Sequence, residues 1–196
     1  FTIAGTDRSV DIVTVARAAF RADLLPRDFP LGLSAAATVT LKAPTFPNGC
    51  HVCEVEIDPA TGALDLLGYW VVDDVGRVLN PTLVKGQMMG GIVQGLGQAM
   101  GEEVRYDGDG QLVTGSFQDY CMPRADHVPP ILVETNEVLC RTNPLGIKGV
   151  GEAGTVGALP VLMSAVNDAL LPLGIRHFDM PASPGRLWAL PFSVSS

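Results

Sequence analysis

The alternation of apolar and polar residues is clearest in the segment 51–58. Apolar or neutral side chains occupy its odd positions and mostly acidic ones its even positions: His51, Cys53, Val55 and Ile57 against Val52, Glu54, Glu56 and Asp58. This period of two predicts a strand with one buried face and one acidic face in solvent. Turn-forming residues at 58–62 and an apolar stretch at 64–72 then predict a β-hairpin. Residues 131–138 alternate in the same way and predict a further strand.

Apolar residues near the start of the chain follow the spacing of one buried helical face. They are Ile12, Val13, Ala16 and Phe20. Asp7 or Ser9 is the expected N-cap, because a short polar side chain can accept a hydrogen bond from the first helical turn. Pro26 and Pro30 end this pattern, and the small, apolar residues 31–43 predict an extended connection into a sheet.

The segment 86–103 has helical character but contains six glycines between Gly86 and Gly101. A glycine inside a helix costs about 1 kcal/mol relative to alanine, so these glycines need a structural reason. We expect close approach of another backbone or of a ligand at these positions.

The end of the chain predicts a helix, a strand and a second, short helix. The first helix is expected at 159–171, with Pro160 in its first turn, where proline is tolerated. A strand is expected at 175–179, and Ser183 followed by Pro184 has the N-cap and N1 pattern that opens a short terminal helix. Helices and strands mixed in this way predict an α+β fold with a mixed sheet.

Composition narrows the class of protein. The chain has 196 residues, of which 47% are hydrophobic and 17% charged, against about 25% charged in an average domain. This low charged fraction indicates that another protein surface covers part of the chain. A net charge of −8 without a basic cluster argues against nucleic acid and anionic membranes as partners. No apolar run approaches the ~20 residues of a membrane span.

The cysteine count and the first residue indicate the compartment and the start of the chain. Four cysteines in a chain of this size do not make a disulfide scaffold, so a reducing compartment is expected. Phe1 stands where a methionine would begin a complete reading frame, and no basic-then-apolar segment follows it. We therefore expect no signal peptide and a start that is a cut.

Two cysteines, the three histidines and two neighbouring aspartates are weak candidates for a catalytic or metal-binding site. Cys50 and Cys53 match a Cys-x-x-Cys pattern, but residues three apart in a strand point to opposite faces, so Cys53 is expected to be a small packing residue. The three histidines are scattered and lack the ligand spacing of a zinc site. Asp73 and Asp74 precede Gly76, and a solvated turn is the favoured interpretation of that pair.

One glycine-rich run has more specific features. Five of the twelve residues at 146–157 are glycine, the run precedes a helix, and it contains Glu152. Backbone amides in such a loop can approach an anionic ligand, and the start of a helix adds positive potential. Glu152 fits either a desolvated general base or a capping residue in a solvated turn, and composition alone leaves both open.

Three segments, in order along the chain, resemble one protein family. They read GQMMGGIVQGLGQAM at 86–100, GIKGVGEAGTVGA at 146–158 and HFDMPASPGRLW at 177–188. Together with the hairpin sequence CEVEIDPATG, they are similar to the C-terminal end of the molybdopterin-binding large subunit of the molybdenum hydroxylases. That family includes xanthine dehydrogenase, aldehyde oxidoreductase and carbon monoxide dehydrogenase. The resemblance implies that residues 1–196 are the C-terminal part of a molybdopterin-binding domain whose upstream part is missing.

The resemblance also implies roles for single residues. Glu152 aligns with the catalytic glutamate beside molybdenum, which takes a proton from an oxygen ligand of the metal. Gln87 aligns with a glutamine that contacts the pterin cofactor, whereas Gln94 is assigned to packing. The loop that wraps the molybdenum end of the cofactor contains Lys148, Gly149, Val150 and Gly151. No residue of this chain is implied as a metal ligand.

The implied cofactor is molybdenum–molybdopterin, with its cytosine dinucleotide form left open, and 2Fe-2S clusters and FAD lie on other chains or domains. The complete enzyme would oxidise an aldehyde, an N-heterocycle or a similar small molecule with water as the oxygen source. It would need the remainder of the large subunit and the iron–sulfur and flavin subunits, so the chain alone is expected to be inactive. The cytoplasm is the expected location, with the periplasm left open.

Two other functions stay open at the level of the sequence. A non-catalytic structural or assembly module of the same fold is the main alternative, because most of the implied site lies outside this chain. An unrelated, glycine-rich phosphate-binding enzyme is the second, and it would bind nucleotide without any other chain.

Overall fold

The computed structural model describes residues 1–41 and 43–191 of the chain. Contacts between residues divide the chain into two compact units, Phe1–Thr40 and Leu41–Ser196. All the predicted site residues lie in the second unit.

The first unit contains helix α1, Ile12–Ala18. Its N-cap is Asp11, whose carboxylate accepts hydrogen bonds from the backbone N–H of Thr14 at 2.9 Å and from the Thr14 hydroxyl at 2.6 Å. The expectation of Asp7 or Ser9 as the N-cap is wrong, because the helix begins at Ile12 and Asp11 directly precedes it.

The apolar residues of α1 do not form a buried face in the described part of this unit. Ile12, Val13 and Phe20 are exposed, and Ala19 is the only buried residue described there. A unit this small supplies few partner surfaces, so helical spacing predicted the helix but not the burial. Residues 31–41 form no helix or strand, and Lys42 lies outside the described residues.

A three-stranded mixed sheet forms the centre of the second unit. Its strands are β1, Asn48–Ile57, β2, Leu64–Asp74, and β3, Ile131–Thr135, in the order β1-β2-β3. β1 and β2 pair antiparallel, and β2 and β3 pair parallel. The predicted hairpin is confirmed, and Gly62 in its turn has a φ of +73°, a conformation that favours glycine. The predicted third strand is confirmed but shorter than expected.

The burial of β1 follows the predicted alternation. From position 51 onward its odd residues are half-buried and its even residues are exposed. The half-buried residues face helix α3, Ala153–Leu170, which packs against this strand. The predicted acidic outer face, with Glu54 and Glu56, is therefore confirmed.

Helix α3 begins six residues earlier than the predicted start at 159. Pro160 consequently lies inside the helix, so the prediction that it occupies the first turn is wrong. A proline in a helix interior leaves the carbonyl four residues before it without an N–H partner. Both Pro160 and Val156 are exposed, so water can reach that carbonyl.

The predicted strand at 175–179 is wrong, since no strand is assigned to these residues. Phe178 is buried, and its backbone N–H donates to Asn167 Oδ1 on α3 at 2.7 Å. The segment 175–179 is therefore held to α3 through Phe178 and does not pair with a strand. The short terminal helix, α4, Pro184–Trp188, follows Ser183 as predicted.

Helix α2, Pro81–Met100, packs closely on α3 where glycines meet. A Cβ on Gly154 would lie 2.3 Å from the carbonyl oxygen of Met88. A Cβ on Gly91 would lie 3.1 Å from the backbone nitrogen of Thr155, and one on Gly95 would lie 3.0 Å from the Thr155 carbonyl oxygen. The expected close approach of a second backbone is confirmed at these positions.

One segment, 153–173, is long and apolar enough to cross a membrane by length and composition alone. This differs from the expectation that no run approaches that length. A core helix passes the same test, and Ala158, Leu162 and Val166 of α3 are fully buried in the two hydrophobic clusters of the second unit.

Candidate functional site

The glycine-rich run begins as a loop that is fixed to the end of β2. Gly76 and Gly146 have φ angles of +66° and +70°, and a Cβ on Gly76 would lie 2.3 Å from the Gly146 carbonyl oxygen. Gly76 and Ile147 form an isolated antiparallel bridge, and the N–H of Lys148 donates to the Val75 carbonyl at 2.9 Å. Glycine is required at this crossing because a side chain would separate the two backbones.

A buried ion pair fixes the same loop through side chains. Lys148 Nζ donates to Asp74 Oδ2 at 2.5 Å, and both side chains are about nine-tenths buried. Asp74 Oδ1 also accepts from the N–H groups of Gly76 and Val138 at 2.9 and 3.0 Å. Burial opposes ionisation of Asp74, but the hydrogen bonds from Lys148, Gly76 and Val138 outweigh it and lower the pKa of its carboxyl.

The neighbouring carboxyl belongs to a second buried cluster. Asp73 is 2% exposed, and its Oδ1 lies 3.3 Å from His51 Nε2. The opposite ring nitrogen, His51 Nδ1, lies 2.6 Å from the hydroxyl of the fully buried Tyr69. The interpretation of Asp73 and Asp74 as a solvated turn is therefore wrong, because β2 continues through both residues and each meets a buried partner.

An open cavity of about 510 Å³ lies beside this cluster. Its walls come from residues 47–49, from the loop 149–153, and from His51 and Asp73. Glu152 occupies the N-cap position of α3 within that loop. The first amides of α3 and the positive end of its dipole therefore lie close to the cavity.

The structure brings four of the predicted site residues together in this cavity: Gly149, Val150, Gly151 and Glu152. Glu152 is exposed, and its side chain makes no capping hydrogen bond with the described residues. The described chain therefore does not supply the desolvation expected of a general base. Around Gly149 and Gly151, no described atom lies within 4 Å of the position that a Cβ would take.

Two predicted site residues do not line the cavity. The side chain of Lys148 turns to Asp74, so this residue positions the loop from behind. Gln87 is exposed on α2, next to Met88, whose carbonyl meets Gly154 near the start of α3. Gln87 thus lies near the same end of α3 but outside the cavity.

Gln94 and Cys53 contact residues of α3 or of the helix pair α2 and α3. The Thr155 hydroxyl donates to the Gly91 carbonyl at 2.9 Å and lies 3.4 Å from Gln94 Oε1, which joins α2 to α3. Cys53 is half-buried against α3, with its Sγ 3.6 Å from the Val161 carbonyl oxygen, and burial raises the pKa of its thiol to about 11. The packing roles predicted for Gln94 and Cys53 fit these contacts.

Comparison with known protein families identifies the family to which this chain belongs. The family profile of the molybdopterin cofactor-binding domain matches residues 1–129, well over half of the chain. The chain belongs to this family. The fold predicted from the resemblance to the molybdenum hydroxylases is confirmed, including its α+β class.

The relatives of this molybdopterin-binding chain are much longer proteins. It is 37% identical to the nicotine 6-hydroxylase large subunit of Paenarthrobacter nicotinovorans over 94% of its own length and 23% of the relative. It is also 37% identical to the carbon monoxide dehydrogenase large chain of Afipia carboxidovorans over 74% of its length and 18% of the relative. The chain therefore spans less than a quarter of the curated relatives it matches.

Solved structures of the family share the same fold. A Cu,Mo-CO dehydrogenase superposes with a TM-score of 0.79 at 34% identity, covering 89% of this chain and 22% of the other. Quinoline 2-oxidoreductase from Pseudomonas putida 86 superposes with a TM-score of 0.77 at 40% identity, covering 87% and 22%. Both superpositions cover most of this chain, so it has the fold of the corresponding part of those enzymes.

Proposed function

We propose that residues 1–196 are the C-terminal part of the molybdopterin-binding subunit of a molybdenum hydroxylase, and that Glu152 is its general base. The observation that carries this proposal is the position of Glu152. It is a carboxylate at the N-terminus of α3, on the wall of a cavity, in a loop with open space above Gly149 and Gly151.

The residues of the cavity suit a molybdopterin group. Gly149 and Gly151 leave room for a ligand to lie on the backbone, and Val150 contacts the hydrophobic core beneath them. The amides at the start of α3 favour the negative charge that a phosphate-bearing cofactor carries. The side chain of Lys148 contributes by holding the loop through Asp74, which leaves its backbone for contact with the ligand.

Gln87 contacts a different part of the same cofactor in this proposal. Gly86 and Gly90 flank it on α2, and no described atom lies within 4 Å of a Cβ built on either glycine. The described chain therefore leaves open space at both glycines, so a ligand can approach this part of the helix closely.

When bound, the molybdenum cofactor supplies the redox chemistry, with water as the oxygen source. The carboxylate oxygens of Glu152 accept the proton that must leave for oxygen to attack the substrate carbon. Because the described residues leave Glu152 exposed, its desolvation comes from the ligand and from protein outside this chain.

The remaining functional assignments follow the family. The substrate is an aldehyde, an N-heterocycle or a similar small molecule, and the cofactor is molybdopterin, with or without the cytosine dinucleotide. The electrons pass to 2Fe-2S clusters and FAD on other chains or domains, and the complete enzyme is located in the cytoplasm. The names of two relatives, nicotine 6-hydroxylase and quinoline 2-oxidoreductase, favour an N-heterocycle among these substrates.

The first experiment measures molybdenum and turnover in the complete subunit, purified with its partner chains from a host that makes molybdopterin. About one molybdenum per subunit is expected. Glu152→Gln should keep that content and lower turnover by roughly 10²- to 10⁴-fold, because the proton acceptor is lost. The control is Glu54→Gln, on the exposed face of β1, which should leave both values unchanged.

Two results would contradict this proposal. Near-normal turnover of Glu152→Gln with full molybdenum content would exclude Glu152 as the base. A folded wild-type complex without molybdenum would favour the alternative, a structural module of the same fold.

A further inference from the structure

The outer face of the sheet, on the side away from α2 and α3, has an apolar centre. Val52 pairs with Trp70, Trp70 pairs with Leu132, and Val72 is the next residue of β2 on the same face. These four residues, here called the apolar patch, are 41–58% exposed in the described chain. A Cβ on Gly68 would overlap the ring of Trp70, so glycine at this position leaves room for the ring against the strand.

The parallel pairing of β2 with β3 indicates that this face is covered in the complete protein. Helix α2 lies between these two parallel strands in the sequence, as in a β-α-β unit. Parallel strands are usually covered by helices on both faces of their sheet. Here α2 and α3 pack on one face, whereas the apolar patch stays exposed in the part of the chain that the structure describes. A helix on the outer face would complete the usual arrangement.

Carboxylates border the apolar patch on both sides along the strands. The acidic border consists of four exposed residues, Glu54, Glu56, Asp65 and Glu134. None of them forms an ion pair with a described residue, and the three strands contain no lysine or arginine. Glu56 and Asp65 are register partners, and like charges directly opposite each other in a sheet are destabilising. A cation between these two carboxylates would replace repulsion with attraction.

Charge and the length of the relatives together favour one occupant for this face. A second copy docked through the same face would bring the acidic borders of both copies together, which opposes a symmetric pair. The chain spans 23% and 18% of two relatives that it matches, so a subunit of that length has most of its residues outside 1–196. A covering segment within the same polypeptide has a high effective concentration at this face.

We propose that the apolar patch is the docking surface for an amphipathic helix of the same subunit that lies outside residues 1–196. The apolar side of this helix packs on the patch, and its lysine or arginine side chains pair with the acidic border, one of them between Glu56 and Asp65. The inference rests on the proposed function, because it takes residues 1–196 as one part of a longer molybdopterin-binding subunit.

The test uses photochemical cross-linking in the complete subunit, purified with its partner chains. Val52→p-benzoylphenylalanine places a photoreactive ketone on the patch, and mass spectrometry after proteolysis identifies the segment linked to it. We expect a segment of the same polypeptide, outside 1–196, with helical apolar spacing and with lysine or arginine beside its apolar residues. Leu132→p-benzoylphenylalanine should link the same segment, because Val52 and Leu132 pair with Trp70 from opposite sides.

The matched control is Val113→p-benzoylphenylalanine, at a residue that is 45% exposed and lies outside the sheet. Because the ketone links only groups in contact with it, the yield of the expected product from position 52 should exceed that from position 113 by about 10-fold or more. A link from position 52 to residues 1–40, to a partner chain or to a second copy would overturn the proposal. A linked segment without lysine or arginine, or no product from either strand, would overturn it as well.

A second measurement needs no substitution in the sheet. Cys50 is exposed in the described chain and pairs with Val72 of the patch. In the complete wild-type subunit, N-ethylmaleimide should modify Cys50 about 10-fold or more slowly than in urea, because the docked helix limits access to the thiolate. Equal rates would show that the face is open to solvent and would overturn the proposal.

Molybdenum content, measured on the same samples, separates this inference from the proposed function. The expected cross-link in a complex without molybdenum would refute the proposed function and leave the docking surface supported. Full molybdenum content with a Cys50 that reacts at the unfolded rate would refute the docking surface alone.

Discussion

At the residue scale, the pair of Asp74 and Lys148 determines whether the glycine-rich loop keeps its shape. Removing one partner of a buried ion pair leaves an uncompensated charge, which costs about 3–5 kcal/mol. We expect Lys148→Met to lower the free energy of unfolding by that amount, measured by urea denaturation at neutral pH. The exposed Lys85→Met on α2 should change it by less than about 0.5 kcal/mol.

The same pair predicts a pH dependence with a definite sign. The hydrogen bonds of Asp74 lower its folded pKa below the ordinary value of 3.8. The contribution of Asp74 to the free energy of unfolding is therefore complete above pH 3.8, and it disappears as the pH falls through the folded pKa. In Lys148→Met, the loss of unfolding free energy at acid pH should be smaller than in the wild type. The double variant Lys148→Met with Asp74→Asn should be more stable than Lys148→Met alone. Equal acid sensitivity of wild type and Lys148→Met would refute the assignment.

Asp73 and Asp74 also show the limit of sequence reasoning at this scale. Their opposite orientation was predictable, because neighbours in a strand face opposite ways. Their burial was not, since the partners lie 22 residues before Asp73, at His51, and 74 residues after Asp74, at Lys148. A signal was present in the strand itself, where Asp73 continues the buried positions of Tyr69 and Val71.

At the scale of elements, the contact between α2 and α3 depends on glycines that differ in their surroundings. A Cβ on Gly154 meets the Met88 carbonyl, whereas one on Gly90 meets no described atom. Gly154→Ala should therefore force the helices apart and cost about 1–3 kcal/mol. Gly90→Ala should stabilise the protein by about 0.5–1 kcal/mol, because alanine is the better helix former. Urea unfolding followed by circular dichroism measures both.

The two substitutions control each other, because each replaces one hydrogen with a methyl group in a helix. Equal effects would mean that helix propensity, and not the approach of the two backbones, decides these positions. If Gly90→Ala also lowers molybdenum content in the complete subunit, the open surface beside Gln87 is a ligand surface, as the proposed function requires.

The elements themselves were predictable to different degrees. The hairpin was predicted almost to its ends, because alternation and turn chemistry are both local signals. The start of α3 was missed, because Gly154 and Gly157 are typical of a loop and Pro160 is typical of a first turn. Their helical state depends on packing against α2 and His51, which no local pattern contains. The cavity beside Glu152 is a product of that packing.

At the scale of the whole molecule, the outer face of the sheet carries a row of exposed apolar residues. Val52 pairs with Trp70, and Trp70 pairs with Leu132, so the three lie side by side across all strands. They are 53%, 41% and 58% exposed. The low charged fraction of the sequence predicted surfaces of this kind, but only the strand register shows that these three residues are contiguous.

An exposed apolar row of this kind binds hydrophobic dyes. We expect the 196-residue chain to enhance the fluorescence of anilinonaphthalene sulfonate, and the double variant Val52→Thr with Leu132→Thr to remove most of that enhancement. Because both positions are exposed, the free energy of unfolding should change by less than about 1 kcal/mol. Val104→Thr, at an exposed site outside the sheet, is the matched control. Dye binding that survives the double variant would place the apolar surface elsewhere, and a loss of dye binding in the control would show that the assay does not report on this face.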